Sequence, residues 1–535
     1  MDNNAHPLRG STLLAVALLL LSLVPMVLWP LETCWCIDEP QLITHAFRAN
    51  EEHSLYVTGL FGNFGIPYGP LPTHVYQLIL AITHDPATIV LLRALLCSLV
   101  TGLSLLWLAR SLGLPQWFAS ALLFAPYISE QMRVLWDASF TIPIGTLALA
   151  AFAAFVKGGG KWPLRVALWA SVQILLIHPM SIPLAFPILG CVLWKYRPVL
   201  RNDVPGLVGT AAVLMTLNFH YAIFAYQAFM WKLEHQGMTA YPKGATHLQA
   251  AMAPLLGGNI FNGAHALPSP APAYLTTAAT LTKVIYGLIW IGIAACAAIG
   301  LRAVRRWSQA TPLQIVCAAA FSGFVLQALL YGTLRIPSGP QYFFGTFALH
   351  AFYAWMGVTA LMWLGRQADV AASGSSQTNV DSLPKRTGIF QILGALPGFF
   401  YLAVAAFLTG GALLYKHQHR QDAPVWPTLE MASDIVRELN RYDRLGAYSD
   451  IDYLNITWFK YPQAIRTLRL LLPPDPAPRI EPKGPLFVTF KKTEDGKPTG
   501  KIEVIDLGTA PLPENAYYFG TAPLTELWFP DPSTW

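Results

Sequence analysis

Charge is what this sequence has least of. Of its 535 residues only 12% are Asp, Glu, Lys or Arg, against 54% hydrophobic residues. A water-soluble domain carries about twice that charged fraction, so an ordinary soluble enzyme or binding module is excluded. There is no GxxxxGK[ST] stretch, and hence no phosphate-cradling loop of that kind. The six cysteines fall into no zinc-ligand spacing. Cys97, Cys191, Cys296 and Cys317 lie inside apolar runs, as small packing residues. Cys34 and Cys36 are separated only by Trp35, a spacing that gives a strained disulfide at best. Internal repeats are missing too. The formal charge of +6 does not point to nucleic acid, because the basic residues come in short clusters between apolar runs.

What is there is hydrophobic length. A helix needs about 20 apolar residues to cross a bilayer. Segments that qualify or nearly do are 11–31, 87–110, 114–129, 133–156, 162–178, 179–196, 204–230, 274–301, 312–334, 341–365 and 388–415. The first is long for a signal peptide and has no small-x-small cleavage site, so it reads as a retained helix. Inner loops concentrate Lys and Arg. With the N-terminus inside, Arg9 and the inner turns hold fourteen such residues, among them Lys157, Arg165, Arg201, Arg302 and Arg366. The opposite loops carry chiefly Arg48, Arg133, Lys232, Lys243 and Arg335. The bias holds at every inner turn, and an odd number of spans puts the C-terminus outside.

The expected fold is therefore an α-helical polytopic membrane protein of about eleven transmembrane helices. Residues 1–415 form the membrane domain and 416–535 a small α/β extracytoplasmic domain. The charge split supports that division: residues 417–535 hold 16 of the 29 acidic residues. In this region Thr428–Arg441 reads as a helix, and 485–492 and 500–508 as strands. Two outer loops are long. Loop 32–86 contains the apolar stretch Leu71–Thr83, too short to span, which reads as a helix at the outer interface. Loop 231–273 carries the aperiodic run GGNIFNGAHALPSPAPA and reads as mobile. The stretch 367–386 reads as a flexible inner linker.

The polar residues of the membrane part are one-sided. Of the 13 acids before position 417, nine lie on or near the outer side: Glu32, Asp38, Glu39, Glu51, Glu52, Asp85, Glu130, Asp137 and Glu234. Arg133 and Asp137 stand one helical turn apart at the outer end of the fourth expected span. His178 closes the fifth, Asn218 and His220 lie in the seventh, Gln327 and Arg335 end the ninth, and Gln341 and Tyr342 open the tenth. Ionisable groups at such depth are costly and usually face a cavity. Each also has a plainer reading: His178 as a helix terminator before Pro179, His220 as a core histidine, Arg133 as a partner of Asp137 or of a lipid phosphate, and Tyr342 as an interfacial anchor. Together they suggest one outward-facing pocket.

Three stretches carry a family resemblance: CIDEPQLITHAFRAN (36–50), YGPLPTHVYQLILAI (68–82) and DPATIVLLRALLCSLVTGLSLLWLARSLG (85–113). The order is a span, an acidic pair in a long outer loop, an interfacial helix bearing Pro-Leu, and an Arg-containing next span. It resembles the GT-C superfamily of polyprenyl-phosphate-sugar-dependent glycosyltransferases, in particular the protein O-mannosyltransferase, lipid A aminoarabinose transferase and rhizobial core glycosyltransferase groups. RIPSGPQYFFGTF (335–347) is similar to the family's late outer-loop pattern, with His350 where members often have Pro.

The resemblance implies an inverting hexosyl- or pentosyltransferase in a bacterial inner membrane. Asp38 would be the general base, with Glu39 as its partner. A sugar hydroxyl is a poor nucleophile, and a carboxylate within reach can take its proton as it attacks. The developing lipid phosphate needs a cation; Arg133 and Arg335 are the candidates, with His178 and His220 behind them. Asp137, Tyr342, Tyr68 and His74 complete the expected substrate-binding set. In the second loop Trp231, Tyr241, Asn259, Phe261 and Asn262 are candidate sugar contacts on a lid. The partners implied are a polyprenyl-phosphate sugar donor, a glycan, lipid or protein acceptor and the bilayer, with no nucleic acid. No motif calls for a cofactor; a divalent metal on Asp38, Glu39 and Asp137 belongs with the neighbouring oligosaccharyltransferase reading. The alternatives are a transporter or flippase, whose polar residues would lie nearer the midplane, and a non-catalytic assembly factor of an envelope polysaccharide pathway.

Overall fold

The computed structural model describes residues 6–35, 38–60, 67–235, 245–267, 271–305, 307–372, 388–420, 428–441, 453–454, 463–472, 480–481, 483, 486–492, 494, 498–506, 509–510 and 517–518. Tyr241 lies outside them.

The helices of the membrane part are α1 (His6–Val27), α2 (Asp38–Glu51), α3 (Leu71–Leu80), α4 (Pro86–Leu112), α5 (Phe118–Leu123), α6 (Pro126–Gln131), α7 (Thr141–Val156), α8 (Lys161–Ile177) and α9 (Ile182–Lys195). There follow α10 (Arg197–Arg201), α11 (Val204–His235), α12 (His247–Met252), α13 (Ala273–Leu281), α14 (Val284–Arg305), α15 (Pro312–Leu334), α16 (Phe347–Ala372) and α17 (Ile389–Gln418). Among the described residues, seven helical stretches are long and apolar enough to cross a membrane. They are Pro86–Leu112, Ala138–Val156, Val204–Trp231, Ala273–Arg305, Pro312–Leu334, Pro340–Asp369 and Ile389–Gln418. Thr12–Val27 and Pro179–Lys195 are shorter apolar helices.

The expected span 114–129 is not one helix. It breaks into the six-residue α5 and α6 at Phe124 and Ala125, because Pro126 lacks an N–H and disfavours the α conformation in the residue before it. The fourth span likewise starts later than expected. Met132–Asp137 form a turn, a 3₁₀ segment Ala138–Phe140 follows, and only then does α7 begin, so Arg133 and Asp137 stand outside the helix. At the His178–Pro179 junction α8 ends and His178 is extended, with φ −156° and ψ 121°, as a residue before proline prefers.

α7 is the central helix, packed against α4, α8, α9, α15 and α16. α14 and α16 cross so closely that a Cβ on Gly292 would lie 1.7 Å from the Tyr353 carbonyl oxygen, the small-residue contact that lets membrane helices approach. α11 lies on the outside of the bundle, with 11% of its apolar window buried.

Neither of the two long loops expected outside is structureless. Loop 32–86 holds α2, which was not expected, and α3. Gln77 ties them together: it donates to Asn50 Oδ1 at 3.2 Å and to the Ser54 carbonyl at 2.8 Å, and accepts from Tyr56 N at 3.2 Å. The second loop, expected to be mobile, is packed over residues 247–266 as α12 and the 3₁₀ segments Ala253–Phe261 and Gly263–Ala266. The run lacks a period because its glycines are there for contact. A Cβ on Gly257 would meet the His350 ring at 2.1 Å.

Beyond the last span come α18 (Leu429–Leu439), capped by Thr428, and α19 (Gln463–Leu471). Four short strands are β1 (Tyr453–Leu454), β2 (Leu486–Lys492), β3 (Pro498–Asp506) and β4 (Tyr517–Tyr518), ordered β3-β2-β1-β4. β2 and β3 pair antiparallel, β1 and β2 parallel. α18 packs on β3 and α19, and α19 packs on α2.

Candidate active site

Asp38 is the first residue of α2. It is half-buried, and its carboxylate accepts a hydrogen bond from the indole of Trp136. Desolvation raises its pKa, and the indole bond opposes that shift. Asp137, in the turn ahead of the Ala138–Val156 span, is wholly buried. Its Oδ2 accepts from Leu60 N at 3.2 Å and its Oδ1 from Ala138 N at 2.6 Å. Burial first, and the nearby Asp38 charge second, raise its pKa to about 7 in spite of those donors. Two carboxylates close enough to repel, one buried and one reachable, hold protons with unequal strength. Sequence reasoning placed Arg133 and Asp137 one helical turn apart and gave Asp38 Glu39 as its partner. The structure instead puts Asp38 with Asp137, and Glu39 is buried, 5% exposed.

Leu60 links this carboxylate to a second group. While Leu60 N serves Asp137, its carbonyl accepts from Tyr68 N at 2.7 Å. The Tyr68 ring sits 5.1 Å from that of His178. His178 Nδ1 accepts from Met180 N at 3.2 Å, so the neutral ring carries its proton on Nε2. Tyr68 and His178 are thereby brought beside the carboxylate pair. The late segment also arrives, though through Phe344, whose ring meets Trp136 edge-on at 5.5 Å. Tyr342 contributes its carbonyl to the Tyr331 hydroxyl.

Other expected members go elsewhere. His74 Nε2 bonds the Tyr56 carbonyl at 2.8 Å, latching α3 to the chain after α2. His220 is exposed on α11, against Phe219. The inward face of α11 is instead Asn218 and Tyr221, whose hydroxyl donates to the Pro67 carbonyl at 3.1 Å, beside Tyr68. Arg335 ends α15 in the left-handed region (φ 55°), and its Nε donates to the Ala245 carbonyl at 3.0 Å. Arg133 donates to the Trp29 carbonyl and lines a cavity with Glu32, Glu130 and Lys416. Asn259 is held by Tyr286 and Ser338, Phe261 is fully buried, and Asn262 caps the following 3₁₀ turn. Those three serve the packing of the loop. Trp231 is 38% exposed on α11.

Two positioning groups were given no role by the sequence reading, although the arginine of one was noted in its span. Arg93 in α4 is completely buried; its Nη1 donates to the Gln131 carbonyl at 2.7 Å, it bonds the Ser139 hydroxyl, and it stacks on Phe140 at 5.2 Å. It thus holds both ends of the turn that carries Trp136 and Asp137. An arginine inside an apolar run is the signal that could have found it. Thr467 of α19, 1% exposed, donates to the Pro40 carbonyl at 3.0 Å and shares a 2.6 Å hydrogen bond with Thr44. The C-terminal region therefore grips α2 two residues from Asp38, which no local pattern announces. Among the described residues no three His, Cys, Asp or Glu side chains cluster as a metal site would require.

No protein-family model matches the sequence, and no curated protein matches it. Solved structures do. ArnT from Cupriavidus metallidurans bound to undecaprenyl phosphate aligns over 92% of this chain and 97% of its own, at 12% identity and a TM-score of 0.50. The same protein in the apo state aligns over 86% and 84%, again at 12% and 0.50. The Archaeoglobus fulgidus oligosaccharyltransferase covers 86% of this chain and 64% of its own, at 12% and 0.42. ArnT is a lipid A aminoarabinose transferase of the GT-C superfamily. The likeness is one of fold: this chain shares the ArnT fold over most of its length.

Proposed function

We propose that this protein is a membrane glycosyltransferase that moves a sugar from a polyprenyl-phosphate donor to an acceptor hydroxyl on the outer side of the membrane, with Asp38 as general base. The observation that carries the reading is the Asp38–Asp137 pair, placed at the start of a loop helix and held by Trp136 and Leu60. The fold shared with an undecaprenyl-phosphate-bound ArnT supports the donor class. Eleven spans, with the N-terminus inside and residues 416–535 outside, belong to the same reading.

Asp38 takes the acceptor hydroxyl's proton while that oxygen bonds the anomeric carbon and the bond to the phosphate oxygen breaks. One displacement inverts the centre, and the lipid phosphate leaves with the electron pair. A general base works best with a pKa near the working pH, which is the direction in which burial moves Asp38. Asp137 stays fixed by its two N–H donors, and the Asp38 charge helps to keep it protonated. Tyr68 and His178 stand on the other side of Leu60 from Asp137. We assign the leaving phosphate to Arg335, whose left-handed backbone costs of order 1–3 kcal/mol, strain that clusters at functional sites. His74 acts by latching α3 to the chain after α2. The test is transfer from a radiolabelled polyprenyl-phosphate sugar by purified protein, wild type against Asp38→Asn. Wild-type turnover in the variant would remove Asp38 from the mechanism.

A further inference from the structure

Arg133 opens on a second place. A cavity lies between the outer ends of the first and last spans, and none of Asp38, Asp137, Tyr68 or His178 lines it. Its apolar side is Pro25 of α1 with Ala412 and Leu413 of α17; its polar side is Glu32, Thr33, Glu130, Arg133 and Lys416. Lys416 and Glu130 pair at 2.9 Å, and Glu32 Oε1 lies 2.5 Å from His417 Nδ1. The His417 ring stacks on Trp29 at 3.9 Å, and Trp29, itself left-handed at φ 46°, gives its carbonyl to Arg133.

Among the described residues, three buried atoms on this wall have no partner: Arg133 Nε, Glu32 Oε2 and Thr33 Oγ1. Arg133 is 6% and Thr33 4% exposed. Buried polar groups are nearly always hydrogen-bonded, so the site calls for an occupant with an acceptor for Arg133 and a donor for Glu32. Charge narrows the class. Two cations and two carboxylates face the cavity, so an anion would meet Glu32 and Glu130 and a cation would meet Arg133 and Lys416. A zwitterion adds no net charge. The apolar side comes from membrane helices at their outer ends, where lipid head groups lie.

We infer that this cavity binds the head group of a zwitterionic phospholipid bearing an N–H ammonium, of the phosphatidylethanolamine kind. A phosphate oxygen accepts from Arg133 Nε, the ammonium donates to Glu32 Oε2, and Thr33 completes the ring of contacts. A choline head group carries the same charges but no N–H, so it leaves Glu32 unsatisfied.

The experiment uses the full-length protein in nanodiscs of equimolar dioleoyl phosphatidylethanolamine, phosphatidylcholine and phosphatidylglycerol, followed by mild delipidation and quantification of retained lipid. The expected result is about one phosphatidylethanolamine per chain, retained at least tenfold over the other two. Glu32→Gln turns the acceptor into a donor and brings retention down to the phosphatidylcholine level; Thr33→Val lowers it a few-fold. If the variants do not fold, the N-methylated series on wild-type protein decides, with retention collapsing at the trimethyl head group. Equal retention of ethanolamine and choline lipids, an excess of phosphatidylglycerol, preference unchanged in Glu32→Gln, release by a glycosyl lipid of equal chain length, or no retained lipid would each overturn the assignment.

Discussion

The turn Met132–Asp137 has two ends that face different neighbours. Asp137 turns to Leu60 and Asp38; Arg133, four residues earlier, turns to Trp29, Glu32 and Glu130. On a helix these positions would share a face. The chain is not helical there, so they part, and one short segment serves both a carboxylate pair and a charge-balanced cavity. An ionisable residue next to a span is assigned by the local backbone before it is assigned by depth. Four perturbations test how separate the two ends are.

The largest effect is expected at Asp38. Loss of a general base typically costs about 10²–10⁴-fold, so Asp38→Asn lowers sugar transfer by that order in proteoliposomes while lipid retention at the Arg133 cavity is unchanged. Loss of both together would mean that the two ends form one site.

Asp137→Asn should change the pH dependence of stability more than that of activity. Asp38 must be ionised to act, so activity rises with pH through its raised pKa. Burial sets that pKa, and the Asp38 charge raises Asp137, which is still protonated while Asp38 ionises, so the acidic limb of the profile stays in place in Asp137→Asn. Stability does respond. The Asp137 pKa is raised from 3.8 to about 7 in the fold, so its favourable contribution is full below pH 4 and is lost as pH rises to about 7. Thermal unfolding should therefore show Asp137→Asn stabilised relative to wild type at pH 8, with a smaller difference at pH 5. An acidic limb that moves in Asp137→Asn would show that Asp137 carries its charge while Asp38 titrates.

Much of the architecture was legible because membrane spans declare themselves by length. The acidic pair was half legible: Asp38 stood out as an acid after the first helix, but its partner could not be read, because Glu39 adjoins it in sequence and Asp137 reaches it only through the fold. The second outer loop was misjudged for a physical reason. Gly257 and Gly258 break the period that announces a helix, yet they are there because His350 and Tyr286 occupy the space of a Cβ. Polarity misled at α11, where His220 drew notice and Tyr221 makes the inward bond.

Thr467 tests whether the C-terminal region belongs to the Asp38 end. Thr467→Val keeps shape and removes the hydrogen bonds to Pro40 and Thr44, each of which contributes about 1 kcal/mol. Hydrogen exchange across residues 38–51 should accelerate, and kcat should fall several-fold with KM little changed. Thr467→Ser should restore both. Faster exchange with unaltered kcat would make the grip structural only.

The smallest effect is expected at Tyr221. Its hydroxyl makes one bond to Pro67 from a helix that is otherwise mostly exposed, and removing one such bond costs about 1 kcal/mol. Pro67 precedes Tyr68, which is tied through Leu60 to Asp137, so Tyr221→Phe loosens the Tyr68 segment from its far side. A rise in KM of about two- to fivefold with unchanged thermal stability is the expected outcome, measured alongside Phe219→Ala on the exposed face. If Phe219→Ala raises KM equally, α11 contributes through its general packing, and the link from Tyr221 through Leu60 to the carboxylates is not what the substrate feels.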